Sequence, residues 1–139
     1  MTRHVAPTIR IAAALIDDGE GHILLVRKAG SHCFMLPGGK IEPGESPAAA
    51  LIRELREELG LAIDESAPRL LGRFRATAAN EPGHIVEGDI HHLRLARFAA
   101  APGAEIAEAR WVTPEAARDL PLANLLRDHA LPLFARLAR

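Results

Sequence analysis

Apolar residues alternate with others at Ile9, Ile11, Ala13 and Leu15, the period of a half-buried β-strand. The run Asp17-Asp18-Gly19-Glu20-Gly21 breaks that pattern, and a second apolar run, Ile23-Leu24-Leu25-Val26, follows within residues 22–28. The two together read as a β-hairpin. Residues 34–36 predict a short strand entering the loop Leu36-Pro37-Gly38-Gly39-Lys40, which joins a rigid proline to two residues able to take positive φ. The period then changes: Ala48, Leu51, Ile52, Leu55 and Leu59 recur at three-and-four spacing. Ser46 suits an N-cap, Pro47 the first helical position and Gly60 a stop, so a helix is predicted over 47–59 with one apolar stripe on the core. Downstream, 70–79 and 90–99 predict longer strands around a polar loop at 80–89, and 109–112 a further strand. Thr113-Pro114-Glu115 caps a short helix, and 122–137 predicts a longer one that Pro132 should kink or divide. Strands on both sides of a central helix, then a terminal helix, predict the α/β class: a mixed sheet sandwiched between helices.

The 139 residues are one domain's worth, with no linker, internal repeat or low-complexity segment, so a single domain over 1–139 is expected. A composition 48% apolar and 25% charged is globular, and a net charge of -1 argues against general affinity for nucleic acid or an anionic membrane. Cys33 is the only cysteine, which excludes an intrachain disulfide and leaves the cytoplasm as the default compartment. No motif around Cys33 marks it as a nucleophile. The opening MTRHVAPTIR lacks the apolar core of a leader, and no apolar run approaches a membrane span, so neither secretion nor membrane insertion is expected.

The chemistry is concentrated between Gly38 and Leu61, in GGKIEPGESPAAALIRELREELGL. On the predicted helix Glu57 lies opposite the apolar stripe, with Glu54 and Glu58 beside it on one flank, three and four positions apart. At about 6 Å and an effective dielectric near 20, each like-charge pair costs on the order of 3 kcal/mol, falling to tenths when fully solvated. A divalent cation reverses that sign. Oxygen-only, carboxylate-rich coordination suits Mg²⁺, with Mn²⁺ as a substitute. A solvated acidic face laced by Arg53 and Arg56 is the simpler reading of any Glu-rich helix. The full spacing decides against it: Gly39, five residues, Glu45, seven residues, then Arg53-Glu54-Leu55-x-Glu57-Glu58-x-Gly60-Leu61. A chance match to that pattern has a probability of roughly 10⁻⁸ to 10⁻⁷.

That pattern resembles the Nudix box at every defined position. The resemblance implies the α/β/α Nudix fold over essentially the whole chain, and a metal held by a backbone carbonyl near Gly39 together with Glu54, Glu57 and Glu58. It further implies that Arg53 orients a catalytic glutamate and that Glu45 braces the loop. The implied reaction is attack of water on phosphorus within a diphosphate, with Glu54 as the base and Glu57 as its rival. Homodimers are frequent in the family, so a homodimer is carried as an expectation alongside a small-molecule nucleotide partner.

Outside the box, Glu105 precedes Trp111 by six residues in PGAEIAEARWV, a stretch similar to MutT-type members that place an acidic residue before a tryptophan-bearing strand. Glu105 is the candidate for metal or water contact, Glu108 the weaker one, and Trp111 a core residue. Asp119-Leu120-Pro121-Leu122-Ala123-Asn124 resembles the MutT segment in which an asparagine reads a purine edge, a task suited to an amide with both donor and acceptor. Asn124 is therefore assigned to substrate, with an ordinary helix cap as the alternative. Arg27, Lys28 and Lys40 flank the glycine loop as phosphate ligands, with Arg73 and Arg75 as further candidates. His91 and His92, adjacent in a strand, point to opposite faces and are not a chelating pair.

Together these features point to a metal-dependent hydrolase of nucleoside triphosphates giving the monophosphate and pyrophosphate. ADP-ribose or a nucleotide sugar is the alternative substrate. A non-catalytic nucleotide-binding regulator would require loss of box glutamates, and none is lost; an allylic diphosphate isomerase would require a cysteine context that Cys33 lacks.

Overall fold

The computed structural model describes residues 6–103 and 105–137. The opening residues 1–5, on which part of the leader reading rests, lie outside them. Strands β1 (Thr8–Asp17), β2 (Ile23–Lys28), β3 (Phe34–Met35) and β4 (Gly38–Lys40) precede helix α1 (Pro47–Leu59). Strands β5 (Arg69–Thr77), β6 (Ile85–Arg94) and β7 (Ile106–Val112) follow, then α2 (Pro114–Ala117), a π-helical turn at Leu126–Ala130 and α3 (Leu131–Leu137).

The strands form one mixed sheet in the order β3-β2-β1-β6-β5, with β4 against β1 and β7 against β2. β1 runs parallel to β6 from Thr8 opposite Ile85 to Asp17 opposite Arg94. The alternation of strand side chains sorts the core into two layers. Ala12, Ala14, Ile16, Leu24 and Val26 meet Leu51, Leu55 and Leu59 of α1 on one face. Ala13, Leu15, Leu25 and Ile90 meet Leu125, Leu126 and Phe134 on the other. The sheet is thus sandwiched between helices, as the pattern predicted. Alanines at 12 and 14 let α1 approach the central strand closely, and burying Leu51 or Leu55 stabilises by about 1.5–3 kcal/mol each.

Helix α1 has the predicted bounds because its end signals are local. Ala49 N–H donates to Ser46 Oγ (3.1 Å), and Pro47 occupies the first turn. Gly60 at φ 68° closes the other end, its N–H donating to the Arg56 carbonyl while Leu61 N–H donates to Leu55.

Four expectations change. The β1–β2 hairpin is antiparallel but registers only at Asp17 and Ile23, because β1 is instead occupied by β6 along one edge and by β4 on the other. Part of the expected glycine loop is strand β4, and β6 begins at Ile85, inside the expected loop at 80–89. Glu87 and Asp89 look like loop residues only until their partners are seen: Arg10 lies 3.4 Å from Glu87 and 3.2 Å from Asp89, and Arg73 lies 2.7 Å from Asp89. Finally, Leu122 bridges to Phe34, so the last helix begins at Asn124. Its π turn, closed by Leu131 N–H donating to the Leu126 carbonyl, widens the backbone just before Pro132 and spares the hydrogen bond that proline cannot make.

Trp111 lies in the α1-side layer, its indole N–H donating to the Phe98 carbonyl (3.1 Å).

Candidate active site

Gly38 and Gly39 let strand β4 lie flush on β1 and beneath α1. A Cβ on Gly38, at φ 147°, would sit 2.8 Å from Ala13 Cα and inside van der Waals contact of the Ala12 carbonyl. A Cβ on Gly39 would sit 2.6 Å from both carboxylate oxygens of Glu54. Gly39 therefore leaves the space that Glu54 fills, Gly38 seats β4 on β1, and Gly38 N–H donates to Glu58 Oε1 (2.9 Å).

Arg53 organises the exposed side of this unit. Its Nε and Nη2 donate to the two oxygens of Glu45 (2.8 and 2.9 Å), Nη1 to Glu54 Oε1 (2.9 Å) and Nη2 to the Lys40 carbonyl (3.0 Å). Glu57 lies 3.5 Å from the same guanidinium. The planar fork thus ties the loop, through Glu45 and Lys40, to the helix acid Glu54, a geometry an ammonium could not reproduce. Hydrogen bonding to Arg53 lowers the Glu45 carboxyl to about 2.

The inner acids behave oppositely. Burial raises Glu54 above its ordinary value, against the pull of Arg53. Burial also raises Glu58 to about 7, opposed by the Gly38 N–H and Lys28 and reinforced by Glu54 and Glu105. The folded, metal-free protein therefore keeps a proton on Glu58 that the unfolded chain releases near pH 4.5. Its stability falls as pH rises from about 4.5 through about 7, by on the order of 3 kcal/mol. Glu45 acts in the other sense below that window, its contribution being lost as pH falls toward about 2. Thermal midpoints in chelator should therefore drop between about pH 4.5 and pH 7, and Glu58→Gln should flatten the drop; a wild-type profile that rises there would contradict it.

Alternation along β2 separates two cations that the sequence placed together. Arg27 follows Leu25 onto the face opposite α1, where it lies 3.6 Å from Glu108 and donates to the Ser31 carbonyl (3.1 Å). Lys28 is the cation close enough to Glu54 and Glu58 to oppose their protonation. Lys40 lies 3.7 Å from Glu81. Glu105 is exposed in the loop before β7, within electrostatic reach of Glu58. That loop is docked by Gly103, whose N–H donates to the Glu58 carbonyl (2.7 Å) and whose Cβ, if present, would overlap the Glu57 carbonyl. Nothing in the sequence beyond the Pro102-Gly103 turn signals this contact.

A cleft of about 130 Å³ opens beside the glycine strand, lined among others by Lys28, Gly39, Lys40, Asn80, Glu81 and Asn124. It brings the box glycine and Asn124 into one concavity. Arg73 and Arg75 are engaged elsewhere, with Asp89 and Glu87. His91 is buried, its Nδ1–H donating to the Asp89 carbonyl (3.0 Å), while His92 contacts the Asp17 carboxylate.

The donor set fits a hard divalent cation. Glu54 fills a cradle that a Cβ at position 39 would occupy, and Glu58 is a nearly fully buried carboxyl whose charge burial disfavours. Among the described residues, no three acid, histidine or cysteine side chains are gathered tightly enough to enclose a metal by themselves; Arg53 and Lys28 balance the charge instead.

The fold is thus an α/β sandwich in which a glycine strand feeds an acid-bearing helix beside a small cleft. The NUDIX domain family matches residues 7–134, and the chain belongs to that family. It is 35% identical over 103 residues to a Bacillus subtilis (strain 168) protein provisionally named an 8-oxo-dGTP diphosphatase, over 74% of this chain and 65% of that one. It is 34% identical over 121 residues to the CTP pyrophosphohydrolase of Escherichia coli (strain K12), over 83% of each. The match therefore spans just under two thirds of the Bacillus relative's length. Among solved structures, the MutT protein from Methanosarcina mazei Go1 superposes with a TM-score of 0.78 at 25% identity, covering 99% of both chains. No described helix is long and apolar enough to cross a membrane.

Proposed function

We propose that this chain is a divalent-metal-dependent pyrophosphohydrolase that cleaves a diphosphate linkage in a nucleotide, with a nucleoside triphosphate converted to its monophosphate and pyrophosphate. The observation that carries the reading is that Gly38 and Gly39, against which the Arg53-held Glu54 and the buried Glu58 are seated, also line the cleft that holds Asn124. The names of the Bacillus and Escherichia relatives, both of which specify a nucleoside triphosphate, support it.

In this reading Gly39, Glu54, Glu57 and Glu58 hold Mg²⁺, or Mn²⁺ in its place. The cation, when bound, neutralises charge on the phosphate oxygens and the leaving group. Lys28 and Lys40 border the phosphate end of the cleft as point charges. Glu54 takes the proton of the attacking water: burial raises its proton affinity, and the Arg53 hydrogen bond to Oε1 holds the carboxylate in place. Glu57 is the rival base, and its exposure suits it to metal holding. Glu105, on a loop docked to the end of α1, faces the same charge and is assigned to water or metal contact. Arg27, on the opposite face of β2, has the smallest claim among the substrate-binding candidates.

The test is product analysis across nucleoside triphosphates, ADP-ribose, nucleotide sugars and dinucleotides with Mg²⁺. Monophosphate plus pyrophosphate from triphosphates is the expected result. Preference for ADP-ribose or a nucleotide sugar would overturn the triphosphate assignment, and binding without turnover would overturn the enzymatic one.

A further inference from the structure

Asn124 has two protein partners. Its Nδ2–H donates to the Thr77 carbonyl (3.1 Å), and its Oδ1 accepts from Arg127 Nη2 (2.8 Å). A carbonyl can only accept and a guanidinium can only donate, so these partners cannot be exchanged. The amide is therefore set in one orientation. One N–H on Nδ2 and one lone pair on Oδ1 are left over, in a fixed order along the amide edge.

Arg127 is itself held. Asp128 accepts from its Nε (2.9 Å) and Nη2 (3.3 Å), and both residues lie in the π turn that follows Asn124. The turn is anchored to strand β5 on a second side. His129 stacks on Phe74 at 5.1 Å, and its Nε2–H donates to the Arg75 carbonyl (3.0 Å). Thr77, the other partner of Asn124, ends the same strand, and Ala78, Asn80 and Glu81 directly after it border the cleft. Cleft wall, amide and guanidinium are thus parts of one hydrogen-bonded unit, in a widened helical turn of a kind frequent at functional sites.

We propose that Arg127 is a specificity-determining positioning residue: by binding Oδ1 it fixes the donor and acceptor order that Asn124 presents to a nucleobase edge in the cleft. This rests on the reading that Asn124 touches the base. Without Arg127 the amide keeps one neutral hydrogen bond, to Thr77, and pivots about it, so that bases with the opposite edge pattern are no longer rejected.

The experiment measures kcat and KM for ATP, GTP, CTP and UTP with wild type, Arg127→Met, Asn124→Ala and the double variant. For Arg127→Met the expected result is an increase in KM for the preferred base of roughly 5- to 10-fold, with kcat within about two-fold, and a base preference narrowed toward that of Asn124→Ala. The double variant should be no worse than Asn124→Ala alone, because the arginine acts only through the amide. If Asn124→Ala narrows base preference while Arg127→Met does not, or if Arg127→Met slows all four bases equally, the positioning role is overturned and the base-reading asparagine stands. If Asn124→Ala leaves base preference unchanged, the reading of Asn124 fails and the inference fails with it.

Discussion

Glu57→Gln should lower kcat/KM by about 100-fold or more while leaving the thermal midpoint in chelator nearly unchanged. The two halves of that result come from different facts. Glu57 is 59% exposed and touches only the edge of the Arg53 network, at 3.5 Å, so the fold makes little use of its charge. On the proposed reading, its place on the same helix flank as Glu54 and Glu58 serves metal holding and not packing. The amide keeps the size and an oxygen but removes the negative charge that a hard cation selects. Wild-type activity in this variant, measured with a saturating triphosphate and Mg²⁺, would remove Glu57 from the site. A large drop in the thermal midpoint would show that its role is structural.

Gly38→Ala should be the most destabilising single change at the site, by about 3 kcal/mol or more, combining overpacking with backbone strain. The added methyl would overlap the Ala12 carbonyl and lie 2.8 Å from Ala13 Cα, and both are backbone of the central strand with nowhere to move. The φ of 147° adds strain for any side chain. Displacing β4 also breaks the Gly38 hydrogen bond to Glu58, so activity falls together with stability. Gly39→Ala is the informative contrast, because its methyl would meet the Glu54 carboxylate, the end of a side chain that can swing away. A denaturant titration should rank Gly38→Ala well below Gly39→Ala in stability, with both variants weakly active. Equal stabilities would contradict the tight seating of β4 on β1.

How much of this was legible before the structure depended on how local each signal is. Helix α1 was bounded correctly because Ser46, Pro47 and Gly60 act through bonds within a turn of themselves. The order of its acids followed from helical period alone. The sheet was harder, since a strand's partner is set by distant chain. Nothing in residues 9–17 says that β6 will lie parallel along them, so a hairpin was the natural reading of two neighbouring runs. Glu87 and Asp89 concealed the start of β6 because their compensating arginines, 10 and 73, lie far away in sequence. Arg27 and Lys28 are a different case: the two-residue period of a strand sends them to opposite faces, and only the position of α1 shows which face carries the chemistry. Asn124 and Cys33 show the limits of short motifs. Asn124 lines the cleft and is hydrogen-bonded to Arg127, a neighbour that no sequence pattern singled out, whereas Cys33 is a free thiol whose surroundings no motif announced.

In the proposed function the glutamates of α1, with Glu54 seated on Gly39, work through a bound divalent cation to hydrolyse a nucleotide diphosphate linkage. This is tested most directly by initial rates on the best nucleoside triphosphate, first in chelator and then with Mg²⁺ or Mn²⁺ restored, with both products quantified. No turnover is expected in chelator, and full recovery with Mg²⁺, releasing monophosphate and pyrophosphate in equal amounts. Turnover that persists undiminished in chelator would contradict it, as would release of inorganic phosphate in place of pyrophosphate.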